Sequence, residues 1–164
     1  MTPPILLTGG TGTLGRRVAP LLRQAGAPVR ILSRRSPVSI GDGTRDGTGD
    51  GTAASSGIEY VTGDLATGEG IRAAVAGIHT VVHCAGNPTG DGETTRTLVD
   101  AAREAGVRHL AFISVVGADR VPVESRLDRM MFGYFASKRA AERVVEESGL
   151  PWTTLRATHS TTSS

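Results

Sequence analysis

Three glycines at three-residue intervals stand between a short apolar run and a helical one, in Thr8-Gly9-Gly10-Thr11-Gly12-Thr13-Leu14-Gly15. Gly9 permits a tight turn, Gly12 lets a pyrophosphate approach the backbone, and Gly15 allows the next helix to pack closely on the strand. The helix starting near Thr13 offers unpaired N–H groups and the positive end of its dipole to an anion. Thr8, Gly9, Gly12, Thr13, Leu14 and Gly15 are the expected cradle of a dinucleotide phosphate. The alternative is a glycine-rich turn with no ligand, which the strand before it and the helix after it disfavour.

The end of the second strand is the next position able to discriminate between ligands. An acidic residue there accepts hydrogen bonds from the ribose 2′-hydroxyl of NAD. This chain has Ser33-Arg34-Arg35 instead. One hydroxyl and two guanidinium groups suit the 2′-phosphate of NADP, so NADP is expected in preference to NAD. A solvated basic loop is the plainer reading of the same three residues.

A separate set could move protons. Tyr134-Phe135-Ala136-Ser137-Lys138 places a phenol and an ammonium four residues apart, on one face of a helix. A phenol of pKa about 10 is a poor acid–base catalyst near neutrality, and a nearby ammonium favours its anionic form. Ser114 closes an apolar run upstream and adds a hydroxyl. The competing reading is an amphipathic helix with Tyr134 half buried and Lys138 solvated.

These residues require a scaffold in which strands and helices alternate. Ile5 to Leu7 reads as a strand, and Leu14, Val18, Leu21 and Leu22 as a helix face. Gly26 ends that helix and Val29 to Leu32 is the second strand. Strands follow at Ile58 to Val61, Thr80 to Cys84, Leu110 to Ser114 and Trp152 to Leu155. Helices lie between them around Gly70 to Ala76, Glu93 to Ala105 and Tyr134 to Ser148. The expected fold is α/β, a Rossmann-type doubly wound parallel sheet in three α/β/α layers, ending after about the sixth strand. Residues 36–57, rich in Gly, Asp, Thr and Ser, hold too little apolar surface to order and are expected to be a disordered loop.

Composition removes other classes. The net charge is only +2, and Arg126, Arg129, Arg139 and Arg143 are interleaved with Glu124, Asp128, Glu142, Glu146 and Glu147. That pattern reads as a solvated helix face and excludes a nucleic-acid patch. No apolar stretch reaches the roughly 18 residues of a membrane span, and no basic leader opens the chain, so a cytoplasmic protein is expected. Cys84 is the lone cysteine and no Cys/His cluster has zinc spacing, so no metal is expected. Cys84 itself, ending an apolar strand, reads as an inert thiol. His79, His83, His109 and His159 are scattered and read as structural.

With these residues in view, the sequence resembles the short-chain dehydrogenase/reductase superfamily. The likeness is to its atypical branch of NmrA-like proteins and NAD(P)H-dependent quinone reductases, and it spans nearly the whole chain. Besides Thr8 to Gly15, it rests on Gly63-Asp64-Leu65, on Cys84-Ala85-Gly86, on Ile113-Ser114, and on the Tyr134/Lys138 pair. The resemblance implies that Asp64 and Leu65 contact the adenine, and that Cys84, Ala85 and Gly86 run beside the cofactor. It also implies that Ser114 hydrogen-bonds the substrate carbonyl or alcohol and Tyr134 exchanges the substrate proton. Lys138 then lowers the tyrosine pKa and holds the nicotinamide ribose. Asp64 also suits a helix N-cap, and both roles can hold together.

In resembling proteins the strand matching Trp152 to Arg156 is followed by a segment often reading like Ala-Thr-x-Phe-His-Asp, then by substrate-binding elements, whereas this chain reads Arg156-Ala157-Thr158-His159. Here Ser160-Thr161-Thr162-Ser163-Ser164 follows. Loss of one base from TTC CAC GAC CTC CTC yields TCC ACG ACC TCC TC, so a frameshifted or shortened family member is expected. Its cofactor domain would be 1–159, with a non-family tail at 160–164. The expected function is NADP-dependent reduction of a carbonyl or quinone. The alternatives are a non-catalytic NADP-sensing regulator acting on a protein partner, and a sugar-nucleotide epimerase-like protein.

Overall fold

Two adjacent leucines in the first strand show how the layers form. Leu6 and Leu7 must point to opposite faces of a sheet, and both are fully buried, so this strand is covered on each side. The computed structural model describes residues 2–12, 14–35, 58–85, 90–115 and 126–157. In chain order the elements are β1 (Ile5–Thr8), α1 (Gly15–Gln24), β2 (Val29–Ser33), β3 (Ile58–Thr62) and α2 (Ile71–Val75). They continue with β4 (Thr80–His83), α3 (Asp91–Glu104), β5 (His109–Val115), α4 (Arg126–Glu146) and β6 (Trp152–Ala157).

The strands form one parallel sheet in the order β3-β2-β1-β4-β5-β6. On one face Leu6, Leu32, Val81, Leu110 and Phe112 meet apolar residues of α2, α3 and α4. On the other, Leu7, Val29 and Ile31 pack with Ala19 of α1. This is the expected three-layer Rossmann-type fold. Short α2 is held at its end by Arg30 of β2, which donates to the carbonyls of Ala74 and Ala76 and pairs with Glu59 of β3 at 2.8 Å.

The chain runs outward from β1 through β2 to β3, then returns to place β4 on the other side of β1. The connections leaving β1 and β4 therefore diverge, and open sheets bind ligands in the crevice at such a point. Two helices begin earlier than the sequence suggests. Helix α3 starts at Asp91 instead of Glu93, and α4 starts at Arg126 instead of Tyr134. Gly133, a weak helix former, lies inside α4 just before the expected start. The expected loop at 36–57 and the tail at 160–164 lie outside the described residues.

Candidate cofactor and proton-transfer site

The turn after β1 is shaped by what it cannot accommodate. Gly9 has a φ of +68°, and a Cβ there would lie 2.6 Å from the backbone nitrogen of Ala85, on the segment leaving β4. Gly15 opens α1, where a Cβ would fall 2.1 Å from the carbonyl oxygen of Gly9. Both obstacles are main chain, so no side-chain rotation relieves them. Gly12 meets only the Gly9 carbonyl, at 3.3 Å, which leaves its other side open. The turn is closed by a hydrogen bond from the Gly12 N–H to the Gly9 carbonyl at 3.0 Å. Leu14 caps α1 without a side-chain hydrogen bond, and no acid occupies its first turn. This is a backbone cradle fit for a phosphate. Thr13 lies outside the described residues. Gly10 went unremarked in the sequence, yet a Cβ there would come within 2.7 Å of Ile31.

Ser33 ends β2 and is buried, and its Oγ accepts the N–H of Arg35 at 3.2 Å. That bond tightens the turn that carries Arg34 and Arg35, both exposed, toward the solvent. Asp64 does not cap a helix. Its Oδ1 accepts the Ala66 N–H at 2.8 Å in a local turn, while Gly70 occupies the cap position of α2. The Leu65 side chain joins the core beside α2 and α3. Cys84 and Ala85 follow β4 directly and are half buried, and burial pushes the Cys84 thiol up to about 11 against the opposing Lys138 charge. Such a thiol is no nucleophile near neutrality. Gly86 lies outside the described residues.

Lys138 belongs to the interior. Its side chain is 5% exposed, and Nζ lies 3.1 Å from Oδ2 of Asp91, itself 2% exposed. The same ammonium stands 5.5 Å from the centre of the Phe112 ring. Asp91 is the first residue of α3, where the helix dipole favours a carboxylate, and its N–H donates to Ser137 Oγ at 2.9 Å. Tyr134 lies in the same helix one turn before Lys138, as the sequence spacing requires. Its side chain is outside the described residues.

One turn beyond Lys138, the charge pattern misled. Glu142 is not on a solvated face: it is fully buried on the α4 stripe that also carries Ala141 and Val145. Arg156 of β6 reaches it with Nε at 3.3 Å and Nη2 at 3.2 Å, and Arg139 adds Nη1 at 3.3 Å. Burial pushes the Glu142 carboxyl up, but bonds from Ser114 and Arg156, the Arg156 charge and Arg139 outweigh it and hold the group below its ordinary value. Ser114 stands one residue before the end of β5, directly opposite Arg156 in register, and its buried hydroxyl faces this carboxylate. The hydroxyl expected to meet substrate thus faces α4, the helix that also bears Tyr134.

The comparisons can be set against this geometry. Residues 9–164 match the profile of a family described as NAD(P)H-binding. The chain belongs to that family. Among curated proteins it is 34% identical over 152 residues to a (4-alkanoyl-5-oxo-2,5-dihydrofuran-3-yl)methyl phosphate reductase of Streptomyces griseus, covering 93% of this chain and 46% of that protein. The chain spans less than half the length of the curated relatives it matches. Among solved structures, an anaerobillin reductase of Escherichia coli O157:H7 shares the fold at a TM-score of 0.73 and 24% identity, over 93% of this chain and 71% of the other. An NADPH-dependent quinone oxidoreductase of Escherichia coli, solved with NADPH, gives 0.71 and 22%, over 93% and 48%. The chain is thus a member of an NAD(P)H-binding family with a Rossmann-type fold. Among the described residues no helix is long and apolar enough to cross a membrane, and no group of three or more His, Cys, Asp and Glu is placed to hold a metal.

Sequence reasoning missed Asp91 and Thr95, and gave His83 a structural role without its partners. The His83 ring is buried between Thr8 Oγ1 at 2.6 Å from Nδ1 and Thr95 Oγ1 at 3.0 Å from Nε2. One signal was available: a lysine on an otherwise apolar helix stripe needs a carboxylate, and Gly90-Asp91 opens the preceding helix.

Proposed function

We propose that this protein is an NADP(H)-dependent reductase acting on a carbonyl or quinone. The observation that carries the reading is the glycine turn, crowded by main chain at Gly9 and Gly15, at the same end of the sheet as the α4 segment that pairs Lys138 with the start of α3. When bound, the reduced dinucleotide supplies a hydride to the substrate. The chain's own residues do the rest. Gly9, Gly12 and Gly15 admit the pyrophosphate, and Thr8, Thr13 and Leu14 complete the turn. Ser33, Arg34 and Arg35 receive the 2′-phosphate, while Asp64, Leu65, Cys84, Ala85 and Gly86 border the adenine and the path of the cofactor. Tyr134 gives a proton to the substrate oxygen, and Ser114 orients that oxygen. Lys138, positioned by its pairing with Asp91, favours the tyrosine's anionic form and holds the ribose.

Titration with NADPH and NADH, followed by turnover on quinones and aldehydes, tests this. Replacing Arg34 and Arg35 together by Ala is expected to weaken NADPH at least tenfold more than NADH, the loss of about one charged hydrogen bond. Tyr134→Phe is expected to remove turnover and leave NADPH affinity in place. Equal turnover by wild type and Tyr134→Phe overturns the catalytic assignment, and equal weakening of both dinucleotides overturns the 2′-phosphate role. Gly15→Ala is expected to abolish binding because its Cβ meets the Gly9 carbonyl.

One observation favours a second reading, a regulator that binds NADP without turnover. The Lys138 ammonium is already paired with Asp91 inside the core. Under this reading wild type binds NADPH tightly and reduces no substrate.

A further inference from the structure

A chain of hydrogen bonds crosses the divergence point of the sheet. Thr8 Oγ1 accepts the Ala85 N–H at 3.3 Å. The same oxygen lies 2.6 Å from His83 Nδ1. On the far side of the ring Nε2 lies 3.0 Å from Thr95 Oγ1, so a ring carrying one proton donates to one of these hydroxyls and accepts from the other. Thr8, His83 and Thr95 are all buried, where breaking such a bond leaves a polar group stranded. Burial, aided by the Lys138 charge, lowers the ring's pKa to about 3, so the ring keeps this single-proton form throughout the neutral range.

The two ends of the chain are consequential. At one end lie Thr8 and Ala85, the residues on either side of the close approach that only a glycine at position 9 permits. At the other end is Thr95, one helical turn after Asp91 on α3 and so on the same helix face. That face holds both His83 and the Lys138 ammonium.

We infer that His83 is a positioning residue: through Thr8 and Thr95 it fixes the glycine turn against α3, and so sets the turn's distance from Lys138. This inference rests on the dinucleotide reading of the turn. Disturbing the ring should change cofactor affinity at a site it does not touch. It should also misplace Lys138 relative to the turn.

The test uses the full chain and NADPH as probe. In long-range proton–nitrogen spectra without cofactor, the His83 ring is expected to show one protonated and one unprotonated nitrogen, constant from about pH 5 to 8. Thr95→Val is expected to raise the NADPH dissociation constant about tenfold, the loss of roughly one buried hydrogen bond. Thr95→Ser, which keeps the hydroxyl, should restore it to within about twofold. Thermal melts of both variants separate a local change from unfolding, and His83→Asn supplies a second probe should Thr95→Val not fold. Wild type that binds NADPH, with Thr95→Val and His83→Asn binding it equally well, overturns the positioning role and leaves the dinucleotide reading standing. Wild type that binds no dinucleotide overturns that reading and this inference together. A ring protonated on both nitrogens near pH 7 overturns the hydrogen-bond chain, whatever the binding result.

Discussion

Helix α4 buries two charges one turn apart, and their surroundings differ. The Lys138–Asp91 pair is enclosed on both sides, with exposures of 5% and 2%. The Glu142 carboxylate is as deeply buried, but its partners Arg156 and Arg139 are 42% and 35% exposed and reach in from the rim. A guanidinium at the rim can turn to water when its partner goes. An ammonium in the core cannot, so loss of Asp91 leaves a charge with nowhere to relax.

The largest effect should come from breaking the enclosed pair. Asp91→Ala is expected to destabilise by about 3–5 kcal/mol in urea unfolding, whereas Asp91→Leu with Lys138→Met should recover most of the loss. Failure of the double variant to improve on the single one would mean that the pair is not the source of the cost. Glu142→Gln should cost less, about 1–3 kcal/mol by the same measurement, because its arginines regain solvent. If it matched Asp91→Ala, the contrast between core and rim would collapse.

Acid sharpens the comparison by adding His83. The unfolded ring binds a proton below its ordinary 6.5, whereas the folded ring does so only near pH 3. Stability therefore falls as pH drops from 6.5 toward 3, because the unfolded state takes up more protons. Glu142 works in the same direction but starts lower. Its folded pKa lies below the ordinary 4.5, so its contribution is complete above 4.5 and is lost as pH falls through the folded value. Urea unfolding between pH 7 and 4 should show a slope that His83→Gln flattens between 6.5 and 4.5 and Glu142→Gln leaves alone in that interval. The smallest effect belongs to the exposed pair Arg72–Glu104, at 3.3 Å with side chains 86% and 62% exposed. Arg72→Ala should change stability by no more than about 0.5 kcal/mol.

How much of this was legible depended on how local each signal is. The sheet and its layers followed from short apolar runs such as Ile5 to Leu7 alternating with helical spacings, each readable within one segment. The turn at Gly9 to Gly15 was readable as a local glycine spacing, although the main chain that crowds Gly9 belongs to distant Ala85. Asp91 was not, because its partner on α4 is distant in the chain and only the packing of α3 on α4 brings them together. Glu142 was misread because Arg139, Arg143, Glu146 and Glu147 surround it in a pattern typical of a wet face. What buries it is Arg156, contributed by another strand. Tyr134 and Lys138 were legible as a spacing, but the spacing could not reveal that Lys138 is occupied by an acid.

The seam between β1 and β4 also bears on how the molecule is assembled. Ile5 pairs with Val29 on one side and with Thr80 on the other. The first pairing closes a short stretch of chain and the second a long one, so the second carries the larger loop-closure cost. Parallel pairings of long sequence separation slow folding. The Thr8–His83 bond lies on that costly seam. The phosphate turn is thus complete only after its most distant neighbour has arrived, and a ligand that grips it would favour the finished chain over every state still waiting for β4.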